Sequence, residues 1–152
     1  MTSLEPRDPD FAAVVAASFA RQGLMRTLGI TLVRIEPGLC ELCAPFSPEV
    51  SQQHGYFHGA LIGAALDSAG GYAALSLMPP GSEVLSTEYK INFVAPARGE
   101  ALIATGRVVK PGRTLTVTEV RAFCREGPRH ELCAIMLQSL MRIDGAVAGQ
   151  MP

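Results

Sequence analysis

"HGALIGAALDSAGGYAALSL", residues 58–77, is the stretch whose reading decides the fold. It is apolar or small almost throughout and is followed by Pro79, Pro80 and Gly81, which stop a helix, so the spacing predicts one long helix from about His58 to Leu77. Ala60, Leu61, Ile62, Ala64, Ala65, Leu66, Ala69, Ala73, Ala74 and Leu75 leave that helix no polar face. It must be covered on nearly all sides.

The material to cover it lies on both flanks. Before it, "TLGITLVRIE" and "LCELCAPFS" read as two strands joined by the Pro37-Gly38 hairpin signal, and Ser51 to Phe57 as a polar loop. After it, "VLSTEYKINFVAPA", "EALIATGRVVKPG", "RTLTVTEVRAFCRE" and "HELCAIMLQSLMRI" read as four more strands, parted by turns at Ala97 to Gly99, Pro111-Gly112 and Gly127-Pro128. At the front, "RDPDFAAVVAASFARQG" predicts a short amphipathic helix with Asp8 as N-cap and Pro9 at its first position, ending at Gly23; Phe11, Val14, Val15, Ser18 and Phe19 share a face. The expected class is α+β: an antiparallel sheet of five to six strands curled around one apolar helix. At 152 residues a single domain is expected, with its core over about 23–143 and a loose tail over 144–152.

Composition bounds the function. Hydrophobic residues are 48% and charged ones 18%, ordinary for a globular chain with apolar surface to spare for subunit contacts. A net charge of -1 excludes a globally basic nucleic-acid binder. "MTSLEPRDPD" has no basic segment leading into an apolar run, and Gln52, Gln53, two histidines and Asp67 interrupt the only long uncharged tract, so neither a secretory signal nor a membrane span is expected. A cytoplasmic protein with four reduced cysteines follows. The "CELC" of Cys40 to Cys43 invites a metal or redox reading, but on a strand positions i and i+3 face opposite ways, and Cys124 and Cys133 form no second close pair, so no metal site is expected. His54 and His58 sit in a loop broken by Gly55, not on a regular helix that could present both to a metal.

Asp67 is the anomaly. It is the only formal charge between Glu49 and Glu83, and a desolvated carboxylate costs several kcal/mol unless it is paired, hydrogen-bonded or protonated. Gly59, Gly63, Asp67 and Gly71 recur at intervals of four, which places them on one helix face and leaves space beside the carboxylate. Backbone amides or an arginine from the sheet could satisfy it; so could a role in chemistry. Gly59 stands at the helix start, where unpaired N–H groups can hold a developing negative charge. Eight residues separate it from Asp67, roughly 12 Å along the axis, so one carbonyl cannot meet both within one chain. Two such helices packed antiparallel across a two-fold axis would bring them together.

At these residues the sequence resembles the hot-dog fold acyl-CoA thioesterases of the phenylacetate-degradation type, whose pattern runs Asn, five residues, His-Gly-Gly, then Asp seven residues on. His58-Gly59-Ala60 and Asp67 match that spacing, with Gln52 at the asparagine position and Ala60 at the second glycine. "NFVAPA" and "GRVVKPGRT" continue the likeness, which covers most of Gly23 to Ile143. The resemblance implies a hot-dog fold and hydrolysis of an acyl-CoA, coenzyme A being part of the substrate and no cofactor being required. It places Asp67 as general base or nucleophile, Gly59 N–H on the thioester carbonyl, Gln52 and Thr87 as orienting groups, with Ser86 the less favoured neighbour, and His58 shaping the loop before Gly59. Arg107, Lys110 and Arg113 are candidates for the phosphates of coenzyme A, and Tyr56, Phe57 and Tyr72 for walls of an acyl pocket. A dimer at least, and a tetramer by likeness, is expected. A hot-dog domain that binds an acyl thioester or a partner protein without turnover is the alternative. No Gly-x-Ser-x-Gly elbow, phosphate-cradling loop or dinucleotide fingerprint is present.

Overall fold

Glycine and alanine let a helix and a sheet approach closely, and here they set where the long helix lies. The computed structural model describes residues 4–145. Helix α3 spans Gly59–Leu75, with His58 as its N-cap. Six antiparallel strands wrap it: β1 Thr31–Glu36, β2 Leu39–Pro45, β3 Ser82–Phe93, β4 Ala101–Lys110, β5 Leu115–Glu126 and β6 Arg129–Asp144. Their order across the sheet is β1-β2-β4-β5-β6-β3. A Cβ on Gly106 of β4 would fall 2.5 Å from the main-chain oxygen of Ala69, so only glycine lets α3 lie this close to the sheet. Leu66 of α3 and the strand residues Leu42, Leu102, Met136 and Leu140 are fully buried between the two layers.

Twelve of the seventeen residues of α3 are buried, which leaves Gly59, Ala60, Gly63, Ala64 and Asp67 as a single stripe without full cover. Beside that stripe runs β3, an edge strand. A bulge interrupts it: Ser86 pairs with Leu140 and Glu88 with Ser139, and Thr87 is the extra residue between them. Before the bulge Val84 and Ser86 share the helix-facing side with Leu140; beyond it Tyr89, Ile91 and Phe93, opposite Gln138, Met136 and Ala134, take that side. Tyr89 and Phe93 nevertheless stay 50% and 55% exposed.

The front of the chain differs from expectation in two places. Helix α1 spans Phe11–Ala20, starting two residues after Pro9, because the Asp8 carboxylate accepts from Asp10 N–H and the Asp8 carbonyl from Phe11 N–H, holding Pro9 in a turn. The strand expected from Thr27 begins only at Thr31, because Gly23–Thr27 coils into a short helix, α2, that buries Met25 in the core. Of the loose tail expected over 144–152, residues 146–152 lie outside the described residues, while Asp144 is the last residue of β6. No helix among the described residues is long and apolar enough to cross a membrane.

Candidate active site

The half-buried Asp67 is held by two neutral donors. Its Oδ1 accepts from Ser86 Oγ at 2.5 Å and from Gln138 Nε2 at 2.5 Å. Neither a backbone amide nor an arginine takes that place, and among the described residues no ion pair forms with Asp67. Oδ2 accepts no hydrogen bond from a described residue. The carboxylate opens on a cleft of about 440 Å³ lined by Ser18, Gln22, Ser68, Tyr72, Val84 and Ser86, among others. Polar groups on the walls are tied to one another: Ser18 Oγ lies 3.2 Å from Tyr72 Oη, and Ser68 Oγ donates to Gln22 Oε1 at 3.3 Å. Burial pushes the Tyr72 phenol above its ordinary value, against the opposing pull of Ser18.

Gln138 has no place in the motif, yet it is the centre of the polar network. It is 1% exposed on the helix-facing side of β6, and its Nε2 also lies 2.9 Å from Ser86 Oγ and 3.3 Å from the Asp67 carbonyl. Its Oε1 accepts from Thr118 Oγ1 at 3.3 Å. The signal for it in the sequence is an amide in the apolar alternation Ala134, Met136, Gln138, Leu140.

Thr87 does not face Asp67. As the bulge residue it turns its hydroxyl to the Ser139 carbonyl at 3.0 Å, and Ser86, the neighbour ranked below it from the sequence, is the one that reaches the carboxylate.

The second half of the expected site gathers at the other end of α3. His58 Nδ1 accepts from Ala60 N–H at 2.9 Å, which caps the helix and leaves Gly59 N–H outside that bond. Gln52, Tyr56, Phe57 and Gly59 line a cleft of about 200 Å³ with Phe93, whose ring would lie 3.3 Å from a Cβ on Gly59. Gln52 Oε1 accepts from His54 N–H within its own loop. Phe57 is buried edge-on against Phe46, and Arg98 stacks 5.4 Å over the Tyr56 ring. Within one chain Gly59 and Asp67 stay two helical turns apart and line separate clefts.

The three basic candidates do not converge. Arg107 and Lys110 stand exposed on β4, while Arg113 joins Arg7 and Arg142 around a cavity of about 360 Å³ floored by Leu77, Met78 and Pro79. Arg7 and Arg142 come from remote segments and carry no motif, so the sequence did not single them out. Cys40 lies in the core and Cys43 on the outer face of the sheet; among the described residues no three His, Cys, Asp or Glu side chains form a metal-binding group.

Comparison with known proteins places this geometry. Residues 54–129 match the family model described as the thioesterase superfamily. Among solved structures, a thioesterase family protein from Silicibacter pomeroyi superposes with a TM-score of 0.87 at 44% identity, over 89% of this chain and 99% of that one. The PaaI protein of the Escherichia coli phenylacetic acid degradation operon superposes at 0.81 over 91% and 97% of the two chains; at 19% identity that likeness speaks for the fold. Acyl-coenzyme A thioesterase 13 of Homo sapiens is 32% identical over 115 residues, 70% of this chain and 77% of its own.

Proposed function

The chain belongs to the thioesterase superfamily of hot-dog thioester hydrolases, and on that premise we propose that it hydrolyses an acyl-CoA to a carboxylic acid and free coenzyme A at a seam between two copies of itself. The observation that carries this reading is Asp67: a carboxylate beside a cleft, held by neutral donors, on the one stripe of α3 that the described residues leave without full cover.

Apart from Asp67 that stripe is built of small residues, and a Cβ on Gly63 would meet no described residue within 4 Å. Tyr89 and Phe93 extend it as exposed apolar surface along the unpaired edge of β3, which is what a second copy would cover. In an antiparallel pair of α3 helices, Gly59 N–H of the second copy approaches Asp67 of the first, and the helix dipole adds its positive end there. The thioester carbonyl then lies between them. Gly59 N–H receives the negative charge that builds on the oxygen, while Asp67 either takes a proton from the attacking water or attacks the carbonyl carbon itself. Carbon–sulfur cleavage releases coenzyme A, which leaves as the thiol after taking up a proton, and water supplies the oxygen of the acid. Gln52 and His58 shape the loop that presents Gly59, and Ser86 orients the carboxylate. Arg113, with Arg7 and Arg142, offers charge for the phosphates of coenzyme A. No cofactor is called for.

The test is turnover of an acyl-CoA panel by the wild type and by Asp67→Asn. Loss of at least a hundredfold in kcat on substitution is expected; retention of most of the activity removes Asp67 from the chemistry. Coenzyme A binding without turnover on any chain length would replace hydrolysis with binding alone. A single turnover in labelled water, with Asp67 examined for the label, separates the two mechanisms.

A further inference from the structure

A carboxylate that reacts must offer a definite oxygen in a definite direction, and Ser86 alone cannot ensure this because it stands exposed on an edge strand. We propose that Gln138 is a positioning residue that locks the Asp67 carboxylate with Oδ1 occupied and Oδ2 free to act, and that Thr118 and Gly70 in turn hold the Gln138 amide. The proposal rests on the reading of Asp67 as the reactive group, and adds a residue outside the motif that carries that reading.

The geometry closes as a ring. Ser86 Oγ donates to Asp67 Oδ1, Gln138 Nε2 donates to the same oxygen, and Gln138 Nε2 lies 2.9 Å from Ser86 Oγ, which is free to accept because its own hydrogen is spent on Asp67. Two donors fill Oδ1. Its partner oxygen keeps its lone pairs for water or for the carbonyl carbon. The third contact of Nε2, 3.3 Å to the Asp67 carbonyl, ties the amide to the main chain of the same residue.

The orientation of the amide is fixed by chemistry on both sides. Turned over, it would set Oε1 against the carboxylate, oxygen against anion, and would lose the acceptor that now takes the Thr118 hydroxyl at 3.3 Å. Burial makes the cost of either mismatch high in a side chain that is 1% exposed. Space for the amide is provided by Gly70: a Cβ there would stand 2.0 Å from Gln138 Oε1, 2.8 Å from Thr118 Oγ1 and 2.9 Å from Val120 Cγ2. The helix therefore carries no side chain at the place where the sheet inserts its one helix-facing amide. Core packing alone would be served by an apolar side chain at 138, like the Met136 and Leu140 on either side of it along the same face.

Gln138→Leu and Thr118→Val, each with wild type and Thr118→Ser as references, test this by crystallography and by kinetics on an acyl-CoA that the wild type turns over. In Gln138→Leu the Asp67 carboxylate is expected to leave its wild-type rotamer or to occupy more than one, with kcat lowered ten- to a hundredfold and KM changed by less than about threefold. Thr118→Val leaves Gln138 in place and is expected to lower kcat three- to tenfold; Thr118→Ser, which keeps the hydroxyl, is expected to restore it. An unmoved Asp67 carboxylate in Gln138→Leu, or a kcat within twofold of wild type, overturns the proposal, as does an equal loss in Thr118→Ser and Thr118→Val. The crystallographic outcome needs no turnover, so it decides the positioning role even if Asp67→Asn proves active and the reading of Asp67 fails by itself.

Discussion

Ser86, the last residue of β3 before its bulge, donates to Asp67 Oδ1 across 2.5 Å, whereas Thr87 beside it donates away to Ser139. A hydrogen bond to a charged group contributes about 1.5–3 kcal/mol, and Gln138 keeps its own contact when the serine is lost. Ser86→Ala is therefore expected to lower kcat/KM about tenfold, and Thr87→Ala to stay within about twofold. Steady-state kinetics of the two variants on one acyl-CoA decides which hydroxyl serves the site.

Two glycines on facing elements are expected to respond in opposite ways. Gly106→Ala would force a Cβ to within 2.5 Å of the Ala69 carbonyl, backbone against backbone, so α3 must shift from the sheet. A loss of about 2–3 kcal/mol and a fall in Tm of several degrees are expected, read by calorimetry.

A Cβ on Gly63 would meet no described residue within 4 Å, so Gly63→Leu should leave the protomer fold intact. In the proposed antiparallel pairing of α3 helices it should separate the copies. Light scattering is expected to show a lower mass than for the wild type, with circular dichroism unchanged and turnover lost with the dimer. An unaltered mass would place the subunit contact elsewhere.

Burial, with a smaller push from Glu41, raises the Cys40 thiol from its ordinary 9.0 to about 12. Above pH 9 the unfolded chain has released this proton and the folded chain has not, so the folded state holds more protons and stability falls as pH rises, by up to about 1.4 kcal/mol per pH unit from this group until pH 12. Below pH 9 its contribution is fully present. Tyr72, also raised by burial, acts with the same sign. Cys40→Val, close in volume, is expected to flatten the loss of stability between pH 9 and 10.5, followed by urea unfolding at each pH.

Arg7, Arg113 and Arg142 line one cavity, which Arg107 and Lys110 do not. Arg113→Ala is expected to raise KM for an acyl-CoA about tenfold with kcat little changed, and added salt to raise the wild-type KM in the same direction. Kinetics with a truncated pantetheine thioester, which lacks the nucleotide phosphates, should show neither effect.

Much of this architecture is legible in the chain because its elements are long and strongly patterned. The apolar helix announces its own burial, and Asp67 stands out by being alone. Features set by a single irregularity are not legible: alternation along β3 places Ser86 and Thr87 on opposite faces, but nothing local says where the bulge falls, and the bulge decides which residues share the face of Asp67. Helix α2 is five residues long, too short for a period to show. Gln138 lies 71 residues from Asp67 and bears no charge, so only the alternation of β6, read together with the sheet order, would bring it to notice.

The extra residue at Thr87 lets one strand serve two clients. Up to Ser86 the strand faces the Asp67 carboxylate; past Thr87 its odd-numbered members take over that side, where Tyr89 and Phe93 stand exposed. Pair Thr87 with Ser139 instead, as an unbulged strand would, and Glu88, Lys90 and Asn92 would fall on the helix-facing side while the aromatic rings turned outward. Removing Thr87 alone would leave every other pairing of β3 with β6 in place, so its loss should be better tolerated than the loss of a residue from the regular run on either side.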